Sequence, residues 1–251
     1  MTQPTLTLGY SALSDRLGGL VLPPKNPTHE VLVVVQGEPR PVPVALAKRA
    51  RVITLPSRGV AKSRNEVIRQ SRGRYVVFSD DDITFDESAL AQVVDYLDAN
   101  PDVSLVLAQA VDDKGRLRKK YATGPTRLGL FNSAKAATYE MVLRLDDSRA
   151  SDVWFDEDFG AGAVNYLGDE YIFIVDLVRA GRRCMFLPIT IAMHPEESSG
   201  SRWGTENDVR ARATIFTRVF GFWAPLVRIA FGAKHLGRRM SFGQYLRFIR
   251  G

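Results

Sequence analysis

The run Arg74-Tyr75-Val76-Val77-Phe78-Ser79-Asp80-Asp81-Asp82 limits the folds open to this 251-residue chain more than any other stretch. β-Branched and aromatic residues of strand length stop abruptly at three consecutive carboxylates. A buried strand that delivers acids at its carboxyl end places them in the crevice where open α/β sheets bind ligands. Three adjacent like charges repel, so a site that keeps them ionised supplies a cation. The acids are followed by Ile83-Thr84-Phe85, a core-like flank that an ordinary solvated charge run lacks. The competing structural reading is an Asp-rich turn capping a helix that starts near Asp86-Glu87-Ser88.

Strand-like runs at 5–9, 30–35, 51–55, 75–79 and 104–110 alternate with helical patterns at 60–71 and 88–97. A further helical pattern covers 169–181, with Ile172, Ile174, Val175, Leu177 and Val178 as its apolar positions. Alternation of this kind predicts a mainly parallel sheet flanked by helices. The polar stretch 112–120 reads as hairpin-like, and Lys114, Arg116, Arg118, Lys119 and Lys120 make it either a shaper of an acceptor site or a solvated loop. The length suits one large α/β domain, or a domain with an appendage. Composition turns polar near Ser198-Ser199-Gly200, which divides the chain into a domain over 1–206 and a tail over 207–251.

Charge supports that division. The whole chain carries 34 Lys+Arg against 28 Asp+Glu, but residues 207–251 hold 9 of the bases and a single acid, Asp208. The tail is therefore +8 and the preceding 206 residues −2. A nucleic-acid binder would carry its basic patch on the main domain, so that class is set aside. The tail also holds Phe216, Phe220, Phe222, Trp223, Leu226, Ile229 and Phe231 among its cations. It reads as a basic amphipathic helical segment that packs on the domain, dimerises or lies in an anionic membrane interface. Arg218 and Arg228 interrupt its longest apolar run, Met1-Thr2-Gln3-Pro4 does not resemble a secretory signal, and the single Cys184 rules out a disulfide framework. Cys184 itself reads as a small buried hydrophobe. A cytoplasmic protein, peripheral at the inner face of the plasma membrane, is the expectation.

Gly59, Arg64 and Asn65 open the helix that precedes the acidic strand. A glycine turn and a helix start beside cations suit a phosphate-bearing ligand. Together with Arg72-Gly73-Arg74 and the acid-tipped strand, this segment resembles the core signature of family 2 glycosyltransferases of the GT-A fold. The resemblance continues through Phe155-Asp156-Glu157-Asp158-Phe159-Gly160, Gly168-Asp169-Glu170 and His194-Pro195, and covers roughly residues 5–200.

The resemblance implies a nucleotide-binding α/β sheet whose D-x-D type motif holds Mn²⁺ or Mg²⁺ on a sugar-nucleotide diphosphate. Asp82, Asp80 and His194 are the implied metal residues. Ser11, Gln36, Gly59, Arg64, Asn65, Asp80 and Asp81 are the implied nucleotide-sugar contacts, with UDP the expected nucleotide. The usual Gly-Glu-Asp run is inverted here to Gly168-Asp169-Glu170, so register favours Glu170 as catalytic base with Asp169 as its neighbour or substitute. Gln36 stands where an acid often reads the base; its amide both donates and accepts. Trp154 and Asp156 are the expected acceptor-side contacts, although core packing is the commoner fate of a tryptophan. The Q-x-x-R-W element of processive synthases is not met, because serine occupies position 199 before Arg202-Trp203.

The resulting expectation is a metal-dependent, inverting transferase that moves one sugar to a glycan or lipid-linked acceptor in bacterial surface polysaccharide or glycolipid synthesis. Two rivals remain at this level. Asp80-Asp81-Asp82-Ile83-Thr84 also fits the D-x-D-x-T of haloacid-dehalogenase-type phosphatases, although there the motif follows the first strand. An inactive homologue that binds a nucleotide or a membrane is the other, and the intact acids of both motifs argue against it.

Overall fold

The computed structural model describes residues 3–195, 205–237 and 240–251. In chain order the first half forms β1 (Leu6–Leu13), β2 (His29–Gln36), α1 (Val44–Ala47), β3 (Arg51–Leu55), α2 (Val60–Gln70), β4 (Tyr75–Ser79), β5 (Thr84–Phe85) and α3 (Glu87–Ala99). The second half forms β6 (Val103–Val111), β7 (Thr126–Arg127), β8 (Met141–Arg144), α4 (Leu145–Ala150), α5 (Asp169–Arg179), β9 (Arg183–Met193), α6 (Glu206–Phe220), α7 (Ala224–His235) and α8 (Phe242–Arg250).

The strands join one sheet in the order β3-β2-β1-β4-β8-β6-β9-β5, with β7 also paired to β9. The β3-β2-β1-β4 half is parallel throughout. The other half is mixed: β8 runs antiparallel between β4 and β6, while β6 and β9 are parallel. The chain winds outward from β1 through β2 to β3, then crosses back to place β4 on the other side of β1. Ligands bind at such a reversal, outside the carboxyl ends of the strands. The carboxyl end of β4 is where Asp80-Asp81-Asp82 sits.

Alternation along the strands builds a core on each face of the sheet. Tyr75 and Val77 of β4, with Val33 and Val35 of β2, bury toward α3 and its Leu90, Val93 and Leu97. Val76 and Phe78, with Leu32 and Val34, bury on the opposite face with Val67, Ile68, Phe155 and Phe173. On that second face β1 has a glycine, Gly9, where a Cβ would lie 2.2 Å from Val67 Cγ1. The missing side chain lets α2 settle directly on β1, which carries Ser63 and Arg64 up to the crevice.

Asp86 caps α3, accepting from the backbone N–H groups of Ser88 and Ala89. The capping expected of an Asp-rich turn is thus real but falls to Asp86, which leaves Asp80, Asp81 and Asp82 outside the helix.

The tail is helical and its first helix is core. Ile215 and Val219 of α6 pack with Phe159, Tyr171, Ile172 and Val175. Arg218 pairs with Asp156 at 2.7 Å and Asp176 at 2.6 Å, and Tyr166 donates to Asp208. α6 begins at Glu206, beside the change in charge at 206/207, and completes a buried cluster with the preceding residues. The segment around Ser199 and Arg202-Trp203 lies outside the described residues.

Candidate active site

Arg64 is the hinge of the site. It lies mid-way along α2, is 5% exposed, and rests on the Phe155 ring with its guanidinium carbon 5.7 Å from the centroid. Phe155 is itself held between Phe78 and Phe173. Three carboxylates converge on Arg64: Asp169 by a close hydrogen bond, Glu170 at 3.3 Å and Asp80 at 3.8 Å. Acids that the sequence places about ninety residues apart are thus neighbours around one cation.

Two of these acids titrate in opposite directions. Burial and the adjacent Glu170 charge push Asp169 up to about 7, against the pull of Arg64. Burial also pushes Glu170 upward, but Arg64 and the Thr138 hydroxyl, 2.8 Å away, outweigh it and hold Glu170 below its ordinary value. Side-chain exposure differs in the same sense, at 4% for Asp169 and 22% for Glu170. Glu170 is the more acidic and more exposed of the two carboxyls, and Asp169 the more buried one, raised towards neutrality. Thr138 carries no motif signal; it arrives from the turn before β8, 32 residues upstream of Glu170.

That arrangement fixes a pH dependence of stability. A carboxyl whose folded value lies above its unfolded one binds more protons when native, so its contribution is complete in acid and lost as pH rises. We expect stability to fall between about pH 4 and 7 by at most ~4 kcal/mol, an upper bound that the opposite shift of Glu170 reduces. Denaturant titrations of the wild type and Asp169→Asn across this range check it: the slope should flatten in the variant, and parallel profiles would refute the assignment.

The remaining acids face a second group of partners. Burial raises Asp80, with Arg64 opposing and the neighbouring acids adding to the rise. Asp81 lies 3.5 Å from the exposed Arg16. Asp82 is 3.8 Å from His194 Nε2. The His194 Nδ1–H donates to the Pro195 carbonyl at 2.7 Å, which orients the ring with Nε2 turned to Asp82. Tyr139 stacks obliquely on the imidazole. No three His, Cys, Asp or Glu side chains form a ready-made cage among the described residues. One carboxylate and one imidazole nevertheless fit a divalent ion whose other ligands come from phosphate and water.

Several of the expected contact residues also brace the fold. Gln36 is buried; its Oε1 accepts from Gly59 N–H at 2.8 Å and its Nε2 donates to Ser63 at 3.2 Å. Ser63 continues to Ser11 at 2.6 Å. The Gln36 amide therefore holds the turn before α2. Asn65 accepts from Phe155 N–H at 2.8 Å and donates to the Phe155 carbonyl at 2.9 Å, clamping the loop whose ring supports Arg64. Gly160 in that loop has φ +95°, and a Cβ there would lie 2.8 Å from Asp169 Cγ. The two residues expected on the acceptor side have partners within the chain. Trp154 donates to Asp152 and stacks on Arg69 at the far end of α2, while Asp156 is spent on Arg218.

A parallel half-sheet with its acids at the switch point, and a second acid pair brought over it, is the layout of a GT-A transferase. The family model of glycosyl transferase family 2 matches residues 21–145, which include Arg64 and Asp80–Asp82 and stop short of Glu170. Over those residues, just under half of the chain, the sequence resembles family 2 glycosyltransferases. Among solved structures, S. aureus TarS superposes with a TM-score of 0.63 at 14% identity, over 94% of this chain and 44% of TarS. TarS 1-349 in complex with UDP gives 0.62 at 13% identity, over 97% and 78% of the two chains. The complex of the same fragment with UDP-GlcNAc gives 0.63 at 14%, over 97% and 79%. This chain therefore spans less than half of the whole TarS chain. A search of curated protein sequences finds no significant match. The phosphatase alternative has no support beside the family match and the position of the acids on the fourth strand.

Proposed function

We propose that the protein transfers one sugar, with inversion, from a uridine diphosphate sugar to a hydroxyl of a glycan or lipid-linked acceptor. The carrying observation is Glu170, ionised, oriented by Thr138 and Arg64, and open to the crevice that Asp80–Asp82 border. A carboxylate so held takes the proton of an attacking hydroxyl. Asp169 is more buried and less acidic, which suits it to support Glu170 and not to replace it. The UDP and UDP-GlcNAc complexes of TarS support the nature of the donor.

The acids at the crevice outnumber the arginines beside them, and the departing diphosphate adds more negative charge. Asp82 and His194, with Asp80 alongside, would hold Mn²⁺ or Mg²⁺. Such an ion supplies charge neutralisation to the diphosphate leaving group. The setting that fits best is the cytoplasmic face of a membrane, in synthesis of a surface polysaccharide or glycolipid.

Calorimetry with UDP tests the donor and the ion together. UDP should bind in Mn²⁺, and Asp82→Ala should weaken it by roughly ten-fold or more. Undiminished binding in chelator would remove the ion from the proposal; no binding of any nucleoside diphosphate would remove the donor.

A further inference from the structure

Among the described residues, nothing is packed on one apolar face of the helices after residue 205. Ala224, Arg228 and Gly232 form the buried side of α7, and Gly232 approaches α8 so closely that a Cβ would lie 2.6 Å from Tyr245. The opposite side presents Leu226 (59% exposed) and Ile229 (44%), continued by Ala230 and Ala233, and Phe222 (90%) precedes them in the short 3-10 turn Gly221–Trp223. These positions recur at three- and four-residue spacing, so they form one stripe. Trp223, 60% exposed, borders it, and Phe242 of the neighbouring α8 region is 65% exposed. A contiguous stripe of this size marks an interaction surface.

Charge decides what covers it. Residues 207–251 carry +8, and their single acid, Asp208, accepts from Tyr166 and Thr205. Arg210, Lys234 and Arg250 are exposed on the same three helices, and Lys234 stands one turn beyond Ala230. A second copy would bring +8 against +8, and the rest of the chain offers only −2 in return. An anionic lipid surface answers both features, since it accepts bulky apolar side chains at the headgroup level and attracts the cations around them.

We infer that α7 is a membrane-docking helix that lies in the plane of an anionic bilayer with Phe222, Trp223, Leu226 and Ile229 inserted. The continuous helical segment Glu206–His235 is also long and apolar enough to cross a bilayer by length and composition. Its inner side, however, is committed to the catalytic domain through Ile215, Val219 and the Arg218 pairs. An in-plane pose keeps those contacts.

The test is vesicle co-sedimentation of the full chain, with phosphatidylcholine alone and with phosphatidylcholine containing phosphatidylglycerol. Binding should be confined to the anionic vesicles and weaken as salt rises. The triple variant Phe222→Ser, Leu226→Ser, Ile229→Ser changes only exposed side chains, so its melting temperature should hold while partitioning falls roughly a hundred-fold or more. Indifference of the wild type to anionic vesicles, or undiminished binding by the variant, would overturn the inference. So would a concentration-dependent dimer that the same three substitutions dissolve, since a second copy would then cover the face. Wild-type protein that resists both high salt and alkaline carbonate would show a spanning helix and overturn the in-plane pose. UDP binding in solution is independent of all these outcomes, so this inference and the proposed reaction fail separately.

Discussion

Glu170→Gln should reduce turnover by roughly 10²–10⁴-fold while leaving donor affinity nearly unchanged. The substitution keeps the shape and the hydrogen bond from Thr138 but removes the group that accepts a proton. A base acts mainly in the transition state, so the ground-state complex with the nucleotide is little affected. Asp169→Asn is the matched control. Its carboxyl is buried against Arg64 and less acidic than that of Glu170, so an amide there should cost far less turnover. The measurement is initial-rate kinetics with donor affinity determined separately by calorimetry. A Glu170→Gln enzyme of near-normal turnover would dismiss the base assignment, and a dead Asp169→Asn beside it would move the role by one residue.

Arg64→Met should destabilise the fold by about 3–5 kcal/mol, the cost of leaving a buried charge partner uncompensated. The guanidinium is 6% exposed and serves Asp169, Glu170 and Asp80 together. Methionine preserves much of the stem that packs beside Phe155, so the loss isolates the charge. Without Arg64 the carboxyls must take up protons to stay buried, so the variant should recover stability as pH falls. Adding Asp169→Asn to Arg64→Met should likewise restore part of the loss, because the two residues interact directly. Denaturant unfolding of the single and double variants at two pH values decides the matter. An Arg64→Met protein as stable as wild type would mean that the carboxylates are not held by that cation.

The periodic elements and the acid-tipped strand were legible because each is written in consecutive residues. Tyr75–Ser79 and Arg51–Leu55 have the extents that the local pattern predicts, and 60–71 and 169–181 differ from the observed helices only at their carboxyl ends. Local pattern is weaker between 121 and 168. The antiparallel strand Met141–Arg144 escaped notice because four residues carry too little periodicity, and pairing with β4 and β6 is what makes them a strand. Mixed pairing in that half of the sheet was invisible for the same reason.

By itself, the sequence determined the fold class, the transferase family it resembles, the acids at the end of β4 and the charge of the tail. All four are local or compositional properties. Only the tertiary structure decided how those residues are used. Arg64, Gln36, Asn65, Trp154 and Asp156 bear side chains capable of binding a sugar nucleotide or an acceptor, and composition cannot tell a ligand contact from an internal brace. Folding spent Gln36 on Gly59, Asn65 on Phe155 and Asp156 on Arg218, since a buried polar group must find its partner within the chain. The same folding brought Thr138 and Arg64 to Glu170 from elements distant in sequence, and it separated two adjacent acids into a buried one raised towards neutrality and a more exposed one held lower. Burial and neighbouring charge made that difference, and both exist only once the chain is folded.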